Sequence, residues 1–284
     1  MRTSGRLTAV AVLLLSGTLA ALAADATTPV DGASSAPAAA TEAPPADTSK
    51  SSITPTLPLG TVTPPADNTT VAAPDAKIPL GPAPAAAVPA KIPAGVKIPA
   101  GVKPEVLADL LTPGPLGDES LGDPKAPVIV IEYASMTCPH CMRFHSETFP
   151  YLKEKYIDTG KVYFIFREYP LDDLALAASM LARCAPAEKF FPAINILFDM
   201  QENWANAKDP GQDVFGYLQP MGFTADSFNA CLSNQKILNA VTGEHDRAET
   251  KFGVNGTPTF FFNGQLQAGE LTHEDIDKIL APLL

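Results

Sequence analysis

The feature that most constrains this chain is a dithiol, the sequence Cys-Pro-His-Cys at residues 138–141, which stands where a predicted strand meets a predicted helix. Residues 128–131 are all β-branched, which is typical of a central strand buried on both faces. A helical pattern begins at Met142, so the first sulfur faces the unsatisfied backbone N–H groups at the start of a helix. That field favours the thiolate over the thiol, and a protonated His140 inside the ring adds to it. The thiolate is the attacking species in disulfide exchange, so the motif predicts a redox-active dithiol.

Two other uses of such a motif fit the sequence less well. A structural zinc site would need a second cysteine pair, but Cys184 and Cys231 are single cysteines far apart in the sequence. His145 could complete only part of a ligand set. A c-type haem would need a histidine directly after the second cysteine, where this chain has Met142. We therefore expect no metal and no cofactor.

The first residues have the pattern of an export signal. Arg2 and Arg6 form a positive segment, residues 7–19 an apolar one, and Ala21-Leu22-Ala23 a small-residue cleavage site. We predict a signal peptide at residues 1–23, with an uncleaved membrane anchor as the alternative because the apolar run is near the lower limit for a span. Export to the periplasm would place the cysteines in an oxidising compartment, where disulfides persist.

Residues 24–103 are rich in proline and alanine and contain no aromatic residue, since the first one in the chain is Tyr133. A segment without large apolar side chains cannot offset the entropy cost of ordering its backbone. Its only repeat, Lys-Ile-Pro-Ala-Gly-Val at 91–96 and again at 97–102, is too short for a solenoid. We predict a disordered linker here.

Residues 104–284 have the size of one ordinary domain. The chain carries a net charge of −11, which argues against binding to nucleic acid or to anionic membranes. The first half of this domain is predicted to have helices at 104–111 and from the dithiol to 157, with a kink at Pro150, followed by a strand at 162–167. Five further helices are predicted at 174–184, 187–200, 214–221, 225–232 and 236–251. Two strands follow at 259–262 and 265–267, joined by an Asn-Gly turn. A final helix is capped by Thr272 with Asp275 as its partner. The predicted class is α/β, a thioredoxin-like fold with a helical subdomain inserted at about 171–253.

The folded part resembles the DsbA-like thiol:disulfide oxidoreductases of bacterial cell envelopes. The residues that carry the resemblance are Glu132-Tyr133, Cys138-Pro139-His140-Cys141, Arg167-Glu168-Tyr169-Pro170-Leu171 and Gly256-Thr257-Pro258-Thr259. The family implies Cys138 as the nucleophile, Cys141 as the buried resolving thiol and Pro258 as a cis-proline facing the sulfur pair. It also implies Glu132 as a buried carboxylate that relays the proton of Cys141. The alternative for Glu132 is an ordinary acid at the surface end of a strand.

Cys184 and Cys231 both fall in the predicted helical insert. Some DsbA-like proteins of alphaproteobacteria carry a second disulfide in this region, and the resemblance implies one here. The alternative is two buried free thiols that act as small apolar residues. Predicted export and the even number of cysteines favour the bond.

These expectations combine into a periplasmic oxidase that donates the Cys138–Cys141 disulfide to exported proteins with free thiols and is reset by a membrane redox partner. A disulfide isomerase or reductase of the same fold is the first alternative, because family isomerases resemble this chain in carrying a threonine, here Thr257, before the cis-proline. A non-catalytic envelope binding module with a structural dithiol is the second. Against the isomerase, family isomerases carry an N-terminal oligomerisation domain, and residues 24–103 show no amphipathic pattern that could serve as one. We expect a monomer.

Overall fold

One mixed sheet organises the protein, which a computed structural model describes over residues 58–63 and 91–284. Within these residues the strands are Glu119–Leu121 (β1), Val128–Ala134 (β2), Val162–Glu168 (β3), Thr259–Phe262 (β4) and Gln265–Ala268 (β5). Their order in the sheet is β1-β3-β2-β4-β5. The pair β2 and β3 is parallel and the other pairs are antiparallel. The predicted strand–helix–strand unit and hairpin are therefore confirmed.

The central strand β2 is buried along its whole length. Because side chains alternate between the faces of a strand, Val128 and Val130 enter the larger hydrophobic core, while Ile129, Ile131 and Tyr133 enter a second, smaller core. Glu132 is on the same face as Val130, toward the larger core. Both faces of the sheet must therefore be covered by other elements.

Helices cover both faces. Their bounds are Pro104–Leu110 (α1), Pro139–Arg143 (α2), Phe149–Leu152 (α3), Asp173–Cys184 (α4), Phe190–Asp199 (α5), Gln201–Ala205 (α6), Pro210–Leu218 (α7), Ala225–Leu232 (α8), Gln235–Phe252 (α9) and His273–Leu280 (α10). The elements α4 to α9 form the inserted helical subdomain between β3 and β4, which confirms the predicted fold class. The predicted cap of the last helix is also present, because Thr272 and Asp275 bond each other's backbone N–H groups.

The helix that follows the dithiol is continuous from α2 to residue 157, with two π-helical turns, Phe144–Thr148 and Lys153–Ile157, around α3. In the first turn the Phe149 N–H bonds to the Phe144 carbonyl five residues earlier. Pro150 follows this turn two residues later and has no N–H to contribute to the helical ladder. The sequence predicted a kink at Pro150, and the structure has a continuous helical stretch with a π turn just before this residue.

The Arg167-Glu168 pair at the end of β3 ties neighbouring elements to the sheet. Arg167 is buried, bonds both carboxylate oxygens of Asp118 at 2.9 Å and donates to the Leu110 carbonyl at 2.8 Å. Glu168 is also buried and accepts from Arg183 of α4 at 2.8 Å. A buried charge is tolerated when it is paired and hydrogen-bonded, so these two residues have structural partners.

Residues 91–103 belong to the folded domain, so the predicted boundary at residue 104 lies too late. The side chains of Ile92, Val96 and Val102 pack against the smaller hydrophobic core. Asn263, fully buried in the β4–β5 turn, donates to the Lys97 carbonyl at 2.8 Å. The prediction of disorder does not hold for this stretch, because its few apolar side chains find a surface to cover.

A second stretch of the predicted linker, residues 58–63, lies against the helical subdomain and is called the strap below. Leu59 is 2 % exposed and Val62 is 5 % exposed, and both belong to the larger core. The Val62 N–H donates to Asn229 of α8 at 3.1 Å, and the Asn229 amide donates to the Val62 carbonyl at 3.2 Å. A Cβ placed on Gly211 of α7 would overlap the Leu59 carbonyl oxygen. Only glycine allows the strap to approach α7 so closely.

The predicted signal peptide at 1–23 and the rest of the predicted linker lie outside the described residues. Between residues 91 and 284, and in the strap, no helix combines the length and the apolar character that crossing a bilayer requires.

A disulfide joins Cys184 at the end of α4 to Cys231 in α8, as the resemblance implied. The two cysteines are 47 residues apart, and a closed loop of that length stabilises the folded state by about 4 kcal/mol in the chain-entropy model. Cys231 is fully buried. The bond ties together two helices of the subdomain.

We expect the Cys184–Cys231 bond to survive a mild reductant that opens a disulfide between Cys138 and Cys141. The reason is the burial of Cys231 and the lower potential of structural disulfides relative to catalytic ones. Alkylation at graded reductant concentrations followed by mass spectrometry should label Cys138 and Cys141 first. Labelling of all four cysteines at the same concentration would contradict this expectation.

The change Gly211→Ala should release the strap, because the added methyl group needs the space of the Leu59 carbonyl. We expect faster thermolysin cleavage next to Leu59 and Val62, measured by mass spectrometry, and a loss of stability of about 1 to 2 kcal/mol. Gly216→Ala is the matched control, since Gly216 is exposed on the same helix and has open space around it. It should stabilise α7 by roughly 0.5 to 1 kcal/mol and leave cleavage unchanged. Equal cleavage rates in the two variants would mean that the strap is not seated on α7.

Candidate active site

Cys138 is the residue that caps α2, at the carboxyl end of β2. Its backbone is extended, with φ −80° and ψ 118°, and Pro139 is the first residue of the helix. A proline is well placed there because the first N–H of a helix has no intrahelical partner to lose. The helical subdomain anchors the loop before this helix. The buried Gln201 of α6 donates to the carbonyls of Met136 at 2.8 Å and Cys138 at 3.0 Å. The sequence carried no signal for Gln201 as part of the site.

The loop before β4 lies against Cys138. Antiparallel pairing of Tyr133 with Thr259 brings this loop to the end of β2. The Thr257–Pro258 peptide bond is cis, as the resemblance implied, and the Cys138 thiol donates to the Thr257 carbonyl at 3.2 Å. Thr257, 119 residues away in sequence, is thus brought to the sulfur, with the cis-Pro258 directly after it.

The surroundings of Cys138 favour its thiolate. A hydrogen bond from the Cys141 thiol is the largest cause and, against the opposing effect of burial, the pKa of Cys138 falls to about 5. The Thr257 side chain and the backbone N–H groups of Cys141 and His140 also lower it. The Thr257 hydroxyl oxygen is buried without another hydrogen-bond partner among the described residues, so it is free to donate to the thiolate. Only 5 % of the surface of Cys138 is exposed, so this residue is less accessible to solvent than its position at the start of a helix suggests.

Cys141 has the opposite character. It is fully buried, and burial is the main reason why its pKa lies well above the ordinary value of a thiol. The hydrogen bond that it gives to Cys138 and the charge of Glu132 raise this pKa further. The two sulfurs are free thiols in this structure. One of them is therefore prepared as a thiolate and the other is kept neutral.

Glu132 is completely buried, which excludes the alternative of a surface acid. Its Oε2 lies 2.9 Å from Nε2 of His145, whose side chain is 1 % exposed. The sequence indicated His145 only as an incomplete metal ligand and did not indicate this pairing. The sequence offered one signal for His145: it lies four residues after Cys141, and this spacing places the side chains of Cys141 and His145 on one side of the helical stretch.

A polar cluster borders the site at the surface. Glu270, just after β5, accepts from Arg143 Nη2 at 2.8 Å, and its Oε2 lies 3.1 Å from Nδ1 of His140. Burial opposes ionisation of Glu270, but the hydrogen bonds from Arg143 and His140 hold its pKa below the ordinary range. A protonated His140 donates to Glu270, whereas a neutral ring accepts from Arg143 at 2.6 Å. Glu270 therefore fixes the orientation of His140 beside the dithiol, and no motif pointed to it.

Over residues 91–284 and the strap, no group of three or more His, Cys, Asp or Glu side chains is arranged to hold a metal ion. The arrangement at the dithiol has the parts of a disulfide-exchange centre: a stabilised thiolate with some access to solvent, a buried thiol next to it, and a buried carboxylate below.

Comparisons with known proteins agree with this geometry. A family model described as thioredoxin matches residues 116–281. A relative in Rickettsia felis, named a protein-disulfide oxidoreductase, is 36% identical over 165 residues, which are 56% of this chain. The chain spans only 57% of the length of that relative.

Solved structures are matched over a larger share of their length. Alpha-DsbA1 of Wolbachia pipientis is 34% identical, with a TM-score of 0.57, over 62% of this chain and 94% of the Wolbachia chain. A protein-disulfide isomerase of Novosphingobium aromaticivorans is 25% identical, with a TM-score of 0.53, over 58% of this chain and 97% of its own. Since the family model covers more than half of the chain and a solved DsbA is covered almost end to end, the chain belongs to the DsbA-like thiol:disulfide oxidoreductases of the thioredoxin family.

Proposed function

We propose that this protein is an exported oxidase that donates a Cys138–Cys141 disulfide to other proteins. The observation that carries the proposal is the pKa of Cys138, which hydrogen bonds lower to about 5. A thiolate that is stable at neutral pH stabilises the reduced enzyme, so the oxidised enzyme is a strong oxidant. The difference between the two sulfurs, a lowered pKa at Cys138 and a raised pKa at Cys141, also supports an oxidase.

The proposed reaction begins when a thiolate of the client protein attacks Cys138 Sγ of the oxidised enzyme. The Cys138–Cys141 bond breaks, a mixed disulfide forms at Cys138, and Cys141 leaves as a thiolate that takes up a proton. A second client thiolate then attacks the client sulfur of the mixed disulfide. The client gains a disulfide and loses two electrons, and Cys138 departs as the stabilised thiolate. Cys138 serves as the nucleophile of the reverse direction and Cys141 as the resolving thiol.

The clients would be exported proteins with free thiols, and a membrane redox partner would reset the dithiol. The predicted signal at 1–23 and the membership of the DsbA-like family support a periplasmic setting for this exchange. We also propose that the protein acts as a monomer, which size-exclusion chromatography with light scattering would test.

The reduction potential of the purified protein, measured against glutathione, tests the proposal. An oxidase should have a potential toward the value of about −120 mV that is typical of DsbA. A potential toward the value of about −270 mV that is typical of thioredoxin would favour a reductase instead. Failure of glutathione to reduce the pair within minutes would favour the binding module with a structural dithiol.

A disulfide isomerase is the second candidate, and Thr257 is the observation that favours it. Its hydroxyl and carbonyl both face Cys138 from the residue before the cis-proline. The Novosphingobium relative named an isomerase is similar to this chain over 97% of its length. Refolding of scrambled ribonuclease, compared with the oxidation of reduced ribonuclease, separates the two activities. Faster unscrambling than oxidation would favour the isomerase.

The variant Cys141→Ala should accumulate mixed disulfides with client proteins through Cys138, because the sulfur that resolves them in the reverse direction is gone. Cys138→Ser should abolish exchange, since the buried Cys141 alone is neutral and inaccessible. Non-reducing gels of envelope extracts measure both. The double variant without either cysteine is the control and should trap nothing. Adducts with Cys138→Ser but none with Cys141→Ala would reverse the assigned roles.

The stability of the reduced and oxidised forms should change order with pH. An unfolded cysteine has a pKa of about 8.5, while that of folded Cys138 is about 5. The thiolate therefore contributes stability above the unfolded pKa, and this contribution is lost as the pH falls through about 5. At pH 7.5 it amounts to about 3 kcal/mol, against about 2 kcal/mol for closing the four-residue ring in the oxidised form. The pKa of Cys141 is raised, so its effect on the stability of the reduced form has the opposite sign, but this effect begins only at more alkaline pH.

Thermal melts at pH 7.5 and pH 5, with the Cys184–Cys231 bond shown intact, measure this difference. We expect the reduced form to melt higher at pH 7.5 and lower at pH 5. The double variant Cys138→Ala with Cys141→Ala is the control and should show no such redox dependence. A reduced form that melts lower at both pH values would mean that Cys138 is not a stabilised thiolate.

A further inference from the structure

Beneath the dithiol, Glu132 of β2 and His145 of the first π turn form an isolated pair inside the larger core. Their side chains are 0 % and 1 % exposed, and the atoms Oε2 and Nε2 are 2.9 Å apart. Taking an ionisable group out of water is costly unless every polar atom finds a partner. Here Oε1 of Glu132 and Nδ1 of His145 have no hydrogen-bond partner among the described residues.

The rest of the surroundings of His145 is aromatic. Its ring stacks on Phe198 of α5 with centroids 4.4 Å apart, and Phe149 of α3 lies at 4.9 Å. Phe144 of the same turn and Phe166 of β3 approach edge-on at 5.5 Å and 5.8 Å. Apolar side chains of similar size in place of both His145 and Glu132 would fill this interior and leave no unpaired polar atom. Stability alone therefore gives no reason for a histidine here.

The titratable group that shares this interior with the pair is Cys141. Cys141 is fully buried in the larger core and lies four residues before His145, one turn along the same helical stretch. The charge of Glu132 contributes to the raised pKa of Cys141. Cys138 is the next titratable group and is hydrogen-bonded to Cys141. The elements that pack on the ring, α3, α5 and β3, present the phenylalanines Phe149, Phe198 and Phe166 to it. Cys141, Glu132 and His145 are therefore all buried in the protein interior on this side of the dithiol.

We propose that His145 is the second member of the proton relay of the dithiol and that it shares one proton with Glu132, which the pair delivers to Cys141 when the Cys138–Cys141 bond breaks. This inference rests on the proposed exchange function and adds a residue to it. His145 acts through Glu132, so it is a positioning residue that holds the proton at the carboxyl group.

Attack by the client thiolate transfers the electron pair of the Cys138–Cys141 bond to Cys141 Sγ. The proton shared by Oε2 of Glu132 and Nε2 of His145 moves to that sulfur, and the pair later recovers a proton from solvent. In the reverse direction Cys141 returns its proton to the pair and its thiolate attacks the mixed disulfide.

The test compares His145→Gln, Glu132→Gln and the double variant with the wild type in the full chain. His245→Gln is the matched control, because that ring is also stacked on an aromatic side chain, Tyr169 at 4.1 Å, but on another helix, α9. The probe is dithiothreitol, and the rate of reduction of the oxidised dithiol is followed by stopped flow from pH 5 to pH 9. The ratio of each variant to wild type at each pH cancels the ionisation of dithiothreitol itself.

We expect the ratio for His145→Gln to be near one at pH 5 and to fall roughly tenfold or more by pH 8, within the usual range of general acid catalysis. Glu132→Gln should behave alike, and the double variant should be no slower than either single one, because the two act as a unit. The control should stay at one throughout. A ratio for His145→Gln that does not depend on pH, or losses that multiply in the double variant, would overturn the proposal.

A second measurement covers the case in which the variants do not fold. Nitrogen-15 NMR of labelled histidines in the wild type reports the protonation of His145 in the oxidised and reduced forms at one pH. We expect the His145 shifts to differ between the two forms, and identical shifts would overturn the proposal. If the wild type failed to exchange disulfides at all, the proposed function would fail as well. If the wild type exchanges disulfides normally and the rate of His145→Gln equals that of the wild type at every pH, the relay is rejected and the proposed function stands.

Discussion

The burial of β2 on both faces is the constraint on which the rest of the structure depends. A strand with no exposed residue needs a neighbour on each edge and a layer on each face. The parallel partner β3 and the antiparallel partner β4 supply the edges, and two separate cores supply the layers. The same arrangement brings the end of β2, the start of α2 and the loop before β4 to one point. The dithiol lies at that point.

The chemistry of the site follows from the different surroundings of two identical side chains, Cys138 and Cys141. Cys138 caps the helix, lies against Thr257 and receives a hydrogen bond from its partner thiol, so its negative charge is stabilised. Cys141, three residues later, faces the core and the charge of Glu132, so its negative charge is penalised. Full reduction of a disulfide between two such sulfurs is favoured, because it ends with the stabilised Cys138 thiolate and a neutral Cys141 thiol. Burial excludes water both from Cys141 and from the carboxyl group of Glu132.

Much of the fold could be predicted from local patterns. The strand at 162–167 and the helix at 225–232 were predicted to within a residue, because each buries a regular pattern of apolar side chains. The edge strand β1 was missed, since its three residues are only half-buried and become a strand by pairing with β3. The short helix α6 was missed too, and with it Gln201. The strap was predicted to be disordered because its two buried side chains are too few to suggest a core by themselves.

The sequence by itself determined the strand–dithiol–helix unit, the α/β class and the position of the Cys138–Cys141 dithiol, because these depend on residues that are neighbours along the chain. Only the tertiary structure decided which other groups meet the sulfurs. Thr257, Glu270 and Gln201 come from distant loops and helices and reach the site through strand pairing and helix packing. The partner of Glu132 was equally hidden, since a histidine inside a helix has no fixed environment until the aromatic side chains of α3, α5 and β3 close around it. Hydrogen bonds form only when donor and acceptor are about 3 Å apart, and residues distant in sequence reach such separations only after the chain has folded.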